Sequence, residues 1–530
     1  MWFQFFLINL HFAINITAAL IFFAVFWLYF DAWVGRKRYR EFIRFSGFLA
    51  LSISFILSGL YIESSVLSVP IFSQDLHMAF LIATRLIGYI FIILALFIDP
   101  LMQKPKHQSS VGLVLPLGIK SLSISFVSFL FPVLSALAGF LYLKRATVGL
   151  EDHLKPVAFS FFLLSLSELL ALGYMLRESQ NSTLYAFVAP YSILWMIQSG
   201  VILLAVIVLR KWIFFYLLKR IQSQLFMIFV SFTVALFLLI TLVFSALLLK
   251  NIESEALVSL TTDVNVLEYA INSKKAEVIS DAQVIALNPE VIDAIDKNNK
   301  SKLKSIAIST LLAKKQSVVT ILSGEGVVLA RGDDPERIGD SLSGDVLVKK
   351  AVGGEDAVSV ITKDGVLAPT VSIRSAVPVR SGKDIVGVIM VGADIDNAFV
   401  DGVKETTGLN ASIYADNIRS ATTFIAPDGK SRWVGVKEES EVVKKQVILQ
   451  GKLYAGSLNV LNVAYLTAIL PLKDIDNNVV GMLFVGREQV SLLQAAGRSI
   501  ELTFLVAVVL LVLSIIPAYF ISRYISNQLK

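Results

Sequence analysis

The chain has 530 residues, of which 55% are hydrophobic and only 17% are charged, and its mean hydropathy is +0.72. These values exclude a wholly soluble protein. Because one hydrophobic core stops growing at roughly 250 to 300 residues, either several domains or a membrane must hold these apolar side chains, and the continuous apolar runs favour the membrane. No cysteine is present, which excludes disulfides, thiolate nucleophiles and cysteine-ligated metal sites. The net charge of +6 is small for this length, so no nucleic-acid partner is expected.

Eight apolar runs have the roughly 20 residues that a helix needs to cross a bilayer. Seven of them precede residue 250 and one follows residue 499, so the mostly polar residues 250–499 form an insert. The first run is followed by a basic segment rather than by a small-residue cleavage site, which predicts an uncleaved membrane anchor. The runs are 5–33, 45–62, 76–98, 121–143, 157–175, 185–209, 225–249 and 500–521.

The loop charges do not decide the orientation of these runs. With the insert outside, lysine and arginine divide equally between the two sides, because the basic turn 36–44 is then outside and the turn 144–155 is inside. Either the turn 36–44 is an exception, or the count of runs is wrong by one near Pro116 and Pro132, where proline and Lys120 interrupt the apolar pattern.

His11, Arg85 and Glu168 are ionisable residues that lie within these runs. Charges at membrane depth are costly and face the interior of a helix bundle, so Arg85 and Glu168 are expected to pair. The pair is either a structural ion pair or part of an ion, proton or small-ligand site. No residue spacing resembles a metal site, and no cofactor is predicted.

The insert contains an internal duplication. Residues 386–392, VGVIMVG, recur as residues 480–486, VGMLFVG, and each copy follows an apolar strand centred on Pro378 or Pro471. Each unit is predicted to be a strand pair, a segment with one helix, and further strands, which makes an α+β unit with one sheet face covered. In the first unit the strands are predicted at 318–322, 327–330, 357–361, 371–377 and 385–391, and the helix at 344–352.

A long helix is predicted from the seventh apolar run to about Leu287. Its apolar residues recur every three or four positions, which is typical of a helix that packs along a partner. The partner is either the insert's own sheets or a second copy of the chain, so a homodimer is expected. A further helix, 394–407, links the two units and ends at Gly408. The repeating residues of the long helix are Leu257, Leu260, Val264, Leu267 and Ile271.

Short motifs occur along the insert in a fixed order, namely RIG at 337–339, GD at 344–345, RSAVP at 374–378, the repeated VG strand, and RSATT at 419–423. In this order and spacing, residues 250–499 resemble the double Cache (PAS-like) sensor domain of bacterial membrane receptors and sensor histidine kinases. The first unit is also similar to the sensor domain of the citrate and C4-dicarboxylate sensor kinases. The resemblance implies that the insert lies outside the membrane and binds a small-molecule ligand.

The second resemblance implies a role for Arg374, because in that family an arginine at this strand position binds a substrate carboxylate. A planar guanidinium does so through two parallel hydrogen bonds. Where the family has a histidine, this chain has the segment 331–335, RGDDP, whose carboxylates repel an anion, so an amine, a cation or a zwitterion stays open. Alternatively, Arg374 forms a salt bridge to Asp356 or Glu355. The predicted ligand-binding residues are Arg374, Arg331, Ser372, Thr370 and Asp333, of which Thr370 and Ser372 share the strand face of Arg374.

A weaker candidate pocket is predicted in the second unit. Its residues carry aromatic rings and hydroxyl groups, which either line a small pocket or form the core of the unit. They are Thr422, Thr423, Trp433, Tyr454 and Tyr465.

No catalytic motif is recognisable in the chain. The four histidines lie in or beside the apolar runs, and no glycine-rich phosphate loop is present, so a kinase output is not predicted within these residues. The basic tail, 523–530, resembles the start of a HAMP linker. This resemblance implies a two-component or related output, such as a histidine kinase, a cyclase or a methyl-accepting domain, either after Lys530 or on a cytoplasmic signalling partner.

The predicted fold class is an α-helical polytopic membrane region plus an α+β double PAS-like domain on a long helical stalk. The predicted function is a receptor in the cell membrane that senses an extracytoplasmic small molecule and passes the signal inward. A transporter or membrane enzyme with the insert as an accessory domain is the alternative, and a scaffold that binds a partner through its stalk is a third possibility. The predicted domains are the multispan region 1–249, the stalk and lead-in 250–316, the distal unit 317–407, the membrane-proximal unit 408–499, the last span 500–522 and the linker 523–530.

Overall fold

The computed structural model describes residues 2–62, 73–98, 127–178, 182–217 and 221–528. The chain divides into two compact units, one formed by Met1–Lys250 with Leu492–Lys530 and the other by Asn251–Ser491. We call the first the helical unit and the second the sensor unit. The predicted domain boundaries within them stay predictions.

The described part of the helical unit is made mostly of long apolar helices. Short 3₁₀ helices, Asp152–Leu154 and Leu172–Glu178, precede and follow α5. The helices are α1 (Trp2–Arg36), α2 (Tyr39–Leu60), α3 (Gln74–Ile98), α4 (Leu130–Thr147), α5 (Lys155–Ala171), α6 (Ser182–Val188), α7 (Ile193–Leu217) and the first part of α8 (Ile221–Ala286).

Seven helices within the described ranges are long and apolar enough to cross a membrane. They coincide with seven of the eight runs predicted from the sequence. The eighth prediction, 121–143, falls partly outside the described residues, and the remainder lies in α4, which packs against α5. The seven are Trp2–Gly35, Tyr39–Leu60, Gln74–Ile98, Asp152–Tyr174, Leu184–Phe215, Ile221–Ala286 and Ala496–Gln528.

The sensor unit begins with the second part of α8, followed by α9 (Pro289–Asp296) and α10 (Lys300–Lys314). The first sheet domain then contains β1 (Val318–Ser323), β2 (Val328–Arg331), α11 (Val346–Val352), β3 (Ala357–Lys363), β4 (Thr370–Ser381) and β5 (Asp384–Ile395). Its antiparallel strands lie in the order β2-β1-β5-β4-β3. Helix α11 begins after Asp345, whose carboxylate accepts hydrogen bonds from the Leu347 and Val348 N–H groups.

The second sheet domain repeats this arrangement. Helix α12 (Asn397–Thr407) leads to β6 (Asn410–Ala415), β7 (Ile418–Thr422), α13 (Glu441–Val443) with a following π-helical segment (Lys444–Leu449), β8 (Tyr454–Val460), β9 (Val463–Lys473) and β10 (Val479–Glu488). The strand order is β7-β6-β10-β9-β8, which matches the first sheet strand for strand. The last helix, α14 (Gln489–Gln528), follows β10 directly.

The linking helix is shorter than the sequence suggested. It was expected from residue 394, but Asp394 and Ile395 still belong to β5, and the Asp396 side chain caps α12 by accepting a hydrogen bond from the Phe399 N–H. Gly408 ends α12 as expected, with a φ of +72° that favours glycine.

The apolar stripe of α8 is buried within the chain. Leu260, Val264, Leu267 and Ile271 are at most 3% exposed. Further along α8, the Val278 carbonyl accepts a hydrogen bond of 3.1 Å from the Ser375 hydroxyl on β4. A second copy of the chain is therefore not needed to cover this stripe. The predicted fold class, a helical membrane region with a double PAS-like domain on a helical stalk, is confirmed.

Ring contacts identify one end of the helical unit. Near the end of α1, the Trp27 ring centroid lies 4.1 Å from that of Phe226 at the start of α8 and 5.5 Å from that of Tyr519 near the end of α14. The adjacent residue Leu28 lines a cavity of about 390 Å³. Residues from five helices also line it, among them Asp31, Glu41, Leu96, Arg145 and Trp212.

This arrangement corrects the predicted division of loop charges. Leu96 and Arg145 lie near the C-terminal ends of α3 and α4 and line the same cavity, so both helices end on one side of the helical unit. The turn 36–44 therefore lies at the same end as the turn 144–155, whereas the predicted division placed the two turns on opposite sides; the number of runs stays a prediction. We call this end the basic end. Its described basic residues are Lys37, Arg38, Arg40, Arg44, Lys144, Arg145, Lys155, Arg210, Lys211 and Arg523.

Candidate functional site

Arg374 lies on β4, between β5 and β3 in the first sheet. It is paired with Gly392 on β5 and with Ser359 on β3. A Cβ atom at Gly392 would lie 3.2 Å from the Arg374 Cγ atom, so the glycine leaves room for the arginine side chain. The next residue, Ser375, bonds α8 on the opposite sheet face. Arg374 therefore points to the face that α11 covers.

The Arg374 guanidinium is half-buried, and its buried Nε atom has no hydrogen-bond partner in the part of the chain that the structure describes. Burial lowers the pKa of Arg374, while the charges of Asp394, Asp345 and Asp333 oppose this shift. The group stays a cation, because arginine is protonated at any physiological pH. A buried donor without an acceptor is destabilising, so Arg374 offers an unused binding group.

The alternative salt bridge of Arg374 is not formed among the described residues. Asp356 instead accepts a hydrogen bond of 2.7 Å from the Gln283 side chain of α8. Glu355 and Asp356 also precede the edge strand β3. The guanidinium is therefore left without a carboxylate partner from either residue.

Arg331 is already engaged with its own loop. Its Nη1 and Nη2 atoms donate to the two carboxylate oxygens of Asp340 at 2.9 and 2.8 Å, and Nη1 also donates to the Arg337 carbonyl at 2.9 Å. The pair lowers the pKa of Asp340, because the hydrogen bonds from Arg331 favour the carboxylate. Arg331 thus holds the segment after β2 in place, and its part in ligand binding stays a prediction.

The other predicted residues of the first domain differ in accessibility. Ser372 is buried, and its hydroxyl donates to the Ala393 carbonyl at 3.3 Å. Thr370, at the start of β4, and Asp333, after β2, are both exposed. Ligand contacts by these three residues stay predictions.

In the second domain, a different arginine occupies the interior. Arg419 on β7 is 3% exposed, and its Nε and Nη2 atoms donate to the Tyr414 hydroxyl at 3.1 and 2.6 Å. Its guanidinium carbon lies 4.3 Å from the ring centroid of Trp433, 5.2 Å from that of Tyr414 and 5.3 Å from that of Phe424. Cation–π contacts of this kind are attractive, so the rings form a cage around Arg419.

This role of Arg419 was not predicted from the sequence, where Arg419 is only part of the RSATT motif. The available signal was the group of aromatic residues on both sides of Arg419 in the chain, namely Tyr414, Phe424 and Trp433. Their convergence depends on the β6–β7 hairpin and the segment that follows it.

The predicted second pocket is occupied by the core. Phe424 and Tyr465 belong to one buried cluster, against which Trp433 and Tyr454 pack. The Tyr465 hydroxyl donates to Glu488 at 2.9 Å, and burial, followed by that hydrogen bond, raises the pKa of Tyr465. The hydroxyls of Thr422 and Thr423 bond Ser412 at 2.6 Å and Asn410 at 3.1 Å. These contacts favour the core interpretation of all five residues.

In the helical unit, Arg85 and Glu168 form the expected ion pair, with 3.2 Å between Arg85 Nη1 and Glu168 Oε1. Arg85 Nε donates to the Ser54 hydroxyl at 3.0 Å, and the Tyr89 hydroxyl donates to Glu168 at 3.2 Å. The pair is therefore part of a network in which each charged group has several partners.

His11 makes two contacts with other helices. Its Nε2 atom lies 2.8 Å from the Ser58 carbonyl, and its Nδ1 atom accepts a hydrogen bond of 3.3 Å from the Trp195 ring N–H. These contacts assign the proton of a neutral His11 to Nε2. A functional role for His11, Arg85 or Glu168 stays a prediction.

Comparison with known proteins bears mainly on the sensor unit. Residues 391–498, which contain all of the second sheet domain, match the family described as single cache domain 3. No curated protein matches the chain. The predicted resemblance to a Cache sensor domain is confirmed by the family match.

Three solved structures show a low overall similarity to the chain. The periplasmic domain of Vibrio cholerae LuxQ is 11% identical and matches 43% of this chain and 100% of its own, with a TM-score of 0.32. The sensor domain of the V. cholerae histidine kinase DctB is 11% identical, with 44% and 98% covered and a TM-score of 0.31. The sensory domain of the Campylobacter jejuni chemoreceptor Tlp3 is 11% identical, with 47% and 99% covered and a TM-score of 0.32.

Proposed function

We propose that this chain is a membrane-bound receptor that binds a small molecule outside the membrane in its first sheet domain. The observation that carries the proposal is the half-buried Arg374, whose buried Nε has no protein acceptor among the described residues. A ligand carboxylate supplies the missing acceptors through charge-assisted hydrogen bonds. Leaving the guanidinium unsatisfied has a cost in stability, which is typical of a binding site that is completed by its ligand.

The charges around Arg374 favour a zwitterion over a simple anion. Asp394, Asp345 and Asp333 act on its guanidinium, whereas Arg331 is the one cation among the largest influences on its pKa. A ligand with both a carboxylate and an amine satisfies Arg374 and is attracted to these carboxylates, while a dianion is repelled by them. We propose a small amino acid or a related zwitterion as the ligand class.

The basic end of the helical unit supports the proposed orientation. Short loops rich in lysine and arginine stay in the cytoplasm, so this end is assigned to the cytoplasmic side. Helix α8 starts at the basic end, beside Trp27, and its sequence continues into the sensor unit. The Cache family match of residues 391–498 supports the proposal that the two sheet domains lie outside the cell membrane. Helix α14 returns to the basic end, where a cytoplasmic signalling partner or an output domain would receive the signal.

We also propose that the receptor is a homodimer. The buried stripe of α8 is not available for this contact, but the opposite side of the helix exposes large apolar side chains. Val258 is 66% exposed, Val266 is 46% exposed and Tyr269 is 75% exposed. Helices that expose such a face are typical of a packed pair.

The transporter alternative has less support. The Arg85 and Glu168 side chains bond each other, Ser54 and Tyr89, which is the arrangement expected of a structural network in a membrane.

A ligand screen on the full chain in lipid nanodiscs tests the proposal. Small carboxylates, amines and amino acids are added one at a time, and thermal unfolding is followed. A ligand at 100 times its Kd stabilises a folded protein by about 2.7 kcal/mol. We expect a stabilising amino acid whose effect disappears in Arg374→Ala. Arg380→Ala is the matched control, because Arg380 is exposed on the same strand and its side chain donates to the Gly354 carbonyl at the surface. A stabilising ligand that binds Arg374→Ala equally well would overturn the proposal.

A further inference from the structure

The loop between β9 and β10 of the second sheet domain reaches the interior of the first. Its residue Ile475 packs against the buried cluster beneath α11, which includes Leu347, Met390 and Ala376. The Ile475 N–H donates to the Ser359 hydroxyl on β3 at 2.9 Å, and Asp476 lies 3.9 Å from the Lys350 amine on α11. A residue of the second sheet domain therefore covers part of the buried cluster of the first.

Hydrogen bonds within the loop 474–478 hold its tip in place. One Asp474 carboxylate oxygen accepts from the N–H groups of Asp476 and Asn478 at 2.9 and 2.8 Å, and the other accepts from the Asn478 amide at 3.2 Å. The Asp474 N–H also donates to the Asn478 carbonyl at 3.0 Å. These internal bonds fix the conformation of the loop that joins β9 to β10.

The contact point of the loop adjoins the candidate ligand site. Ser359 and Arg374 are direct partners in the β3–β4 register. Directly opposite residues of antiparallel strands share a sheet face, with Cβ atoms about 4.5 to 5.5 Å apart. Ile475, which is bonded to Ser359, therefore lies beside the α11-covered face of the first sheet that carries Arg374. We call this region the Arg374 compartment.

The other end of β10 leads to the last helix. The strand ends at Glu488, which accepts a hydrogen bond from Tyr465, and α14 begins at Gln489, whose amide donates to the Ser457 hydroxyl at 2.7 Å. The strand β10 thus connects the compartment of Arg374 to the start of α14 without an intervening loop.

We infer that Ile475 is a positioning residue, which forms a wall of the Arg374 compartment and couples its occupancy to β10 and α14. The inference rests on the proposed function and adds the segment that responds to ligand binding. A ligand changes the equilibrium between two conformations of the receptor only if it binds them with different affinities. The two conformations differ in the contact between Ile475 and the first sheet domain.

Hydrogen exchange of the full chain in nanodiscs tests the coupling without any ligand. Gly392→Ala places a Cβ 3.2 Å from Arg374 Cγ and so disturbs the compartment, whereas Gly402→Ala is the matched control, with no atom within 4 Å of the added group. We expect Gly392→Ala to raise exchange in peptides covering 474–488 roughly threefold, because local opening sets exchange rates. Unchanged exchange there, with increased exchange in β4 peptides, would overturn the inference.

A second experiment adds the proteinogenic L-amino acids one at a time and measures protection from hydrogen exchange. For any that protects the chain, Ile475→Ala should reduce the ligand-induced protection of residues 479–491 at least about threefold while binding still depends on Arg374. Ligand binding with full protection of this segment in Ile475→Ala would overturn the coupling and leave the proposed function standing. Binding of no amino acid would overturn the zwitterion proposal, while the ligand-free experiment would still decide the coupling.

Discussion

The two sheet domains have the same strand order but differ in the surroundings of their interior arginines. In the first domain, Arg374 lies half-buried with its Nε unbonded among the described residues. In the second, Arg419 is surrounded by Tyr414, Phe424 and Trp433, and its buried Nη1 atom likewise has no hydrogen-bond partner among the described residues. Within the part of the chain that the structure describes, one copy of the fold thus leaves its arginine without aromatic neighbours that enclose it, and the other surrounds its arginine with three aromatic rings.

The internal repeat shows the same difference residue by residue. Gly392 and Gly486 end the repeated motif, and each is paired with a residue four positions before a strand proline. In the first domain this residue is Arg374, while in the second it is Thr467, which is fully buried and donates to the Gly456 carbonyl at 3.2 Å. The second domain therefore lacks, at this position, the group that the proposed ligand needs.

The largest expected effect is a difference in the free energy of unfolding between variants of the two arginines. Arg419→Ala should lower the free energy of unfolding by about 3 to 5 kcal/mol, because it leaves a cavity between three rings and removes the partner of the Tyr414 hydroxyl. Arg374→Ala should change it by less than about 1 kcal/mol, since no protein hydrogen bond of its Nε is lost. Urea denaturation of the full chain measures both, with Arg380→Ala as control. Equal losses for the two variants would contradict the comparison.

A smaller effect is expected at the paired glycines. An added Cβ at Gly486 would lie 2.9 Å from Phe484 Cζ, so Gly486→Ala should cost about 1 to 3 kcal/mol through overpacking. At Gly392 the nearest atom is the flexible Arg374 Cγ at 3.2 Å, so Gly392→Ala should cost less than about 1 kcal/mol but weaken ligand binding. Thermal unfolding and ligand titration of the full-length variants measure the two effects. A larger stability loss at Gly392 than at Gly486 would oppose this account.

The smallest expected effect is on the pH dependence of stability and concerns the ion pair of Arg331 with Asp340. The pKa of Asp340 is lowered in the folded chain, so its contribution to stability is present above the ordinary aspartate pKa of about 3.9 and is lost as pH falls through the lowered value. Asp340→Asn should therefore reduce the decrease in thermal midpoint between neutral and acid pH. Arg380→Ala, which does not contact the pair, should keep the decrease of the unmodified chain. An unchanged pH dependence in Asp340→Asn would show that the ion pair is not stabilising.

Local sequence patterns predicted much of the fold and part of the site. The repeated VG strands revealed two sheets, and the position of Arg374 before Pro378 placed it on β4, because strand alternation and glycine turns are local features. The cage of Arg419 was not predictable in this way, since its rings come from β6, the segment after β7 and the loop that carries Trp433. The loop charges were misassigned for a similar reason, because only the packed helices show that α3 and α4 end on the same side.

Isothermal titration of a stabilising amino acid into the full chain tests the central claim most directly. Arg374→Ala is predicted to weaken binding by about 100-fold or more, because it removes two charge-assisted hydrogen bonds of about 1.5 to 3 kcal/mol each. Thr467→Ala, the matched substitution in the second domain, should change the affinity less than about threefold. Full affinity in Arg374→Ala, or an equal loss in Thr467→Ala, would contradict the assignment of the ligand site to the first sheet domain.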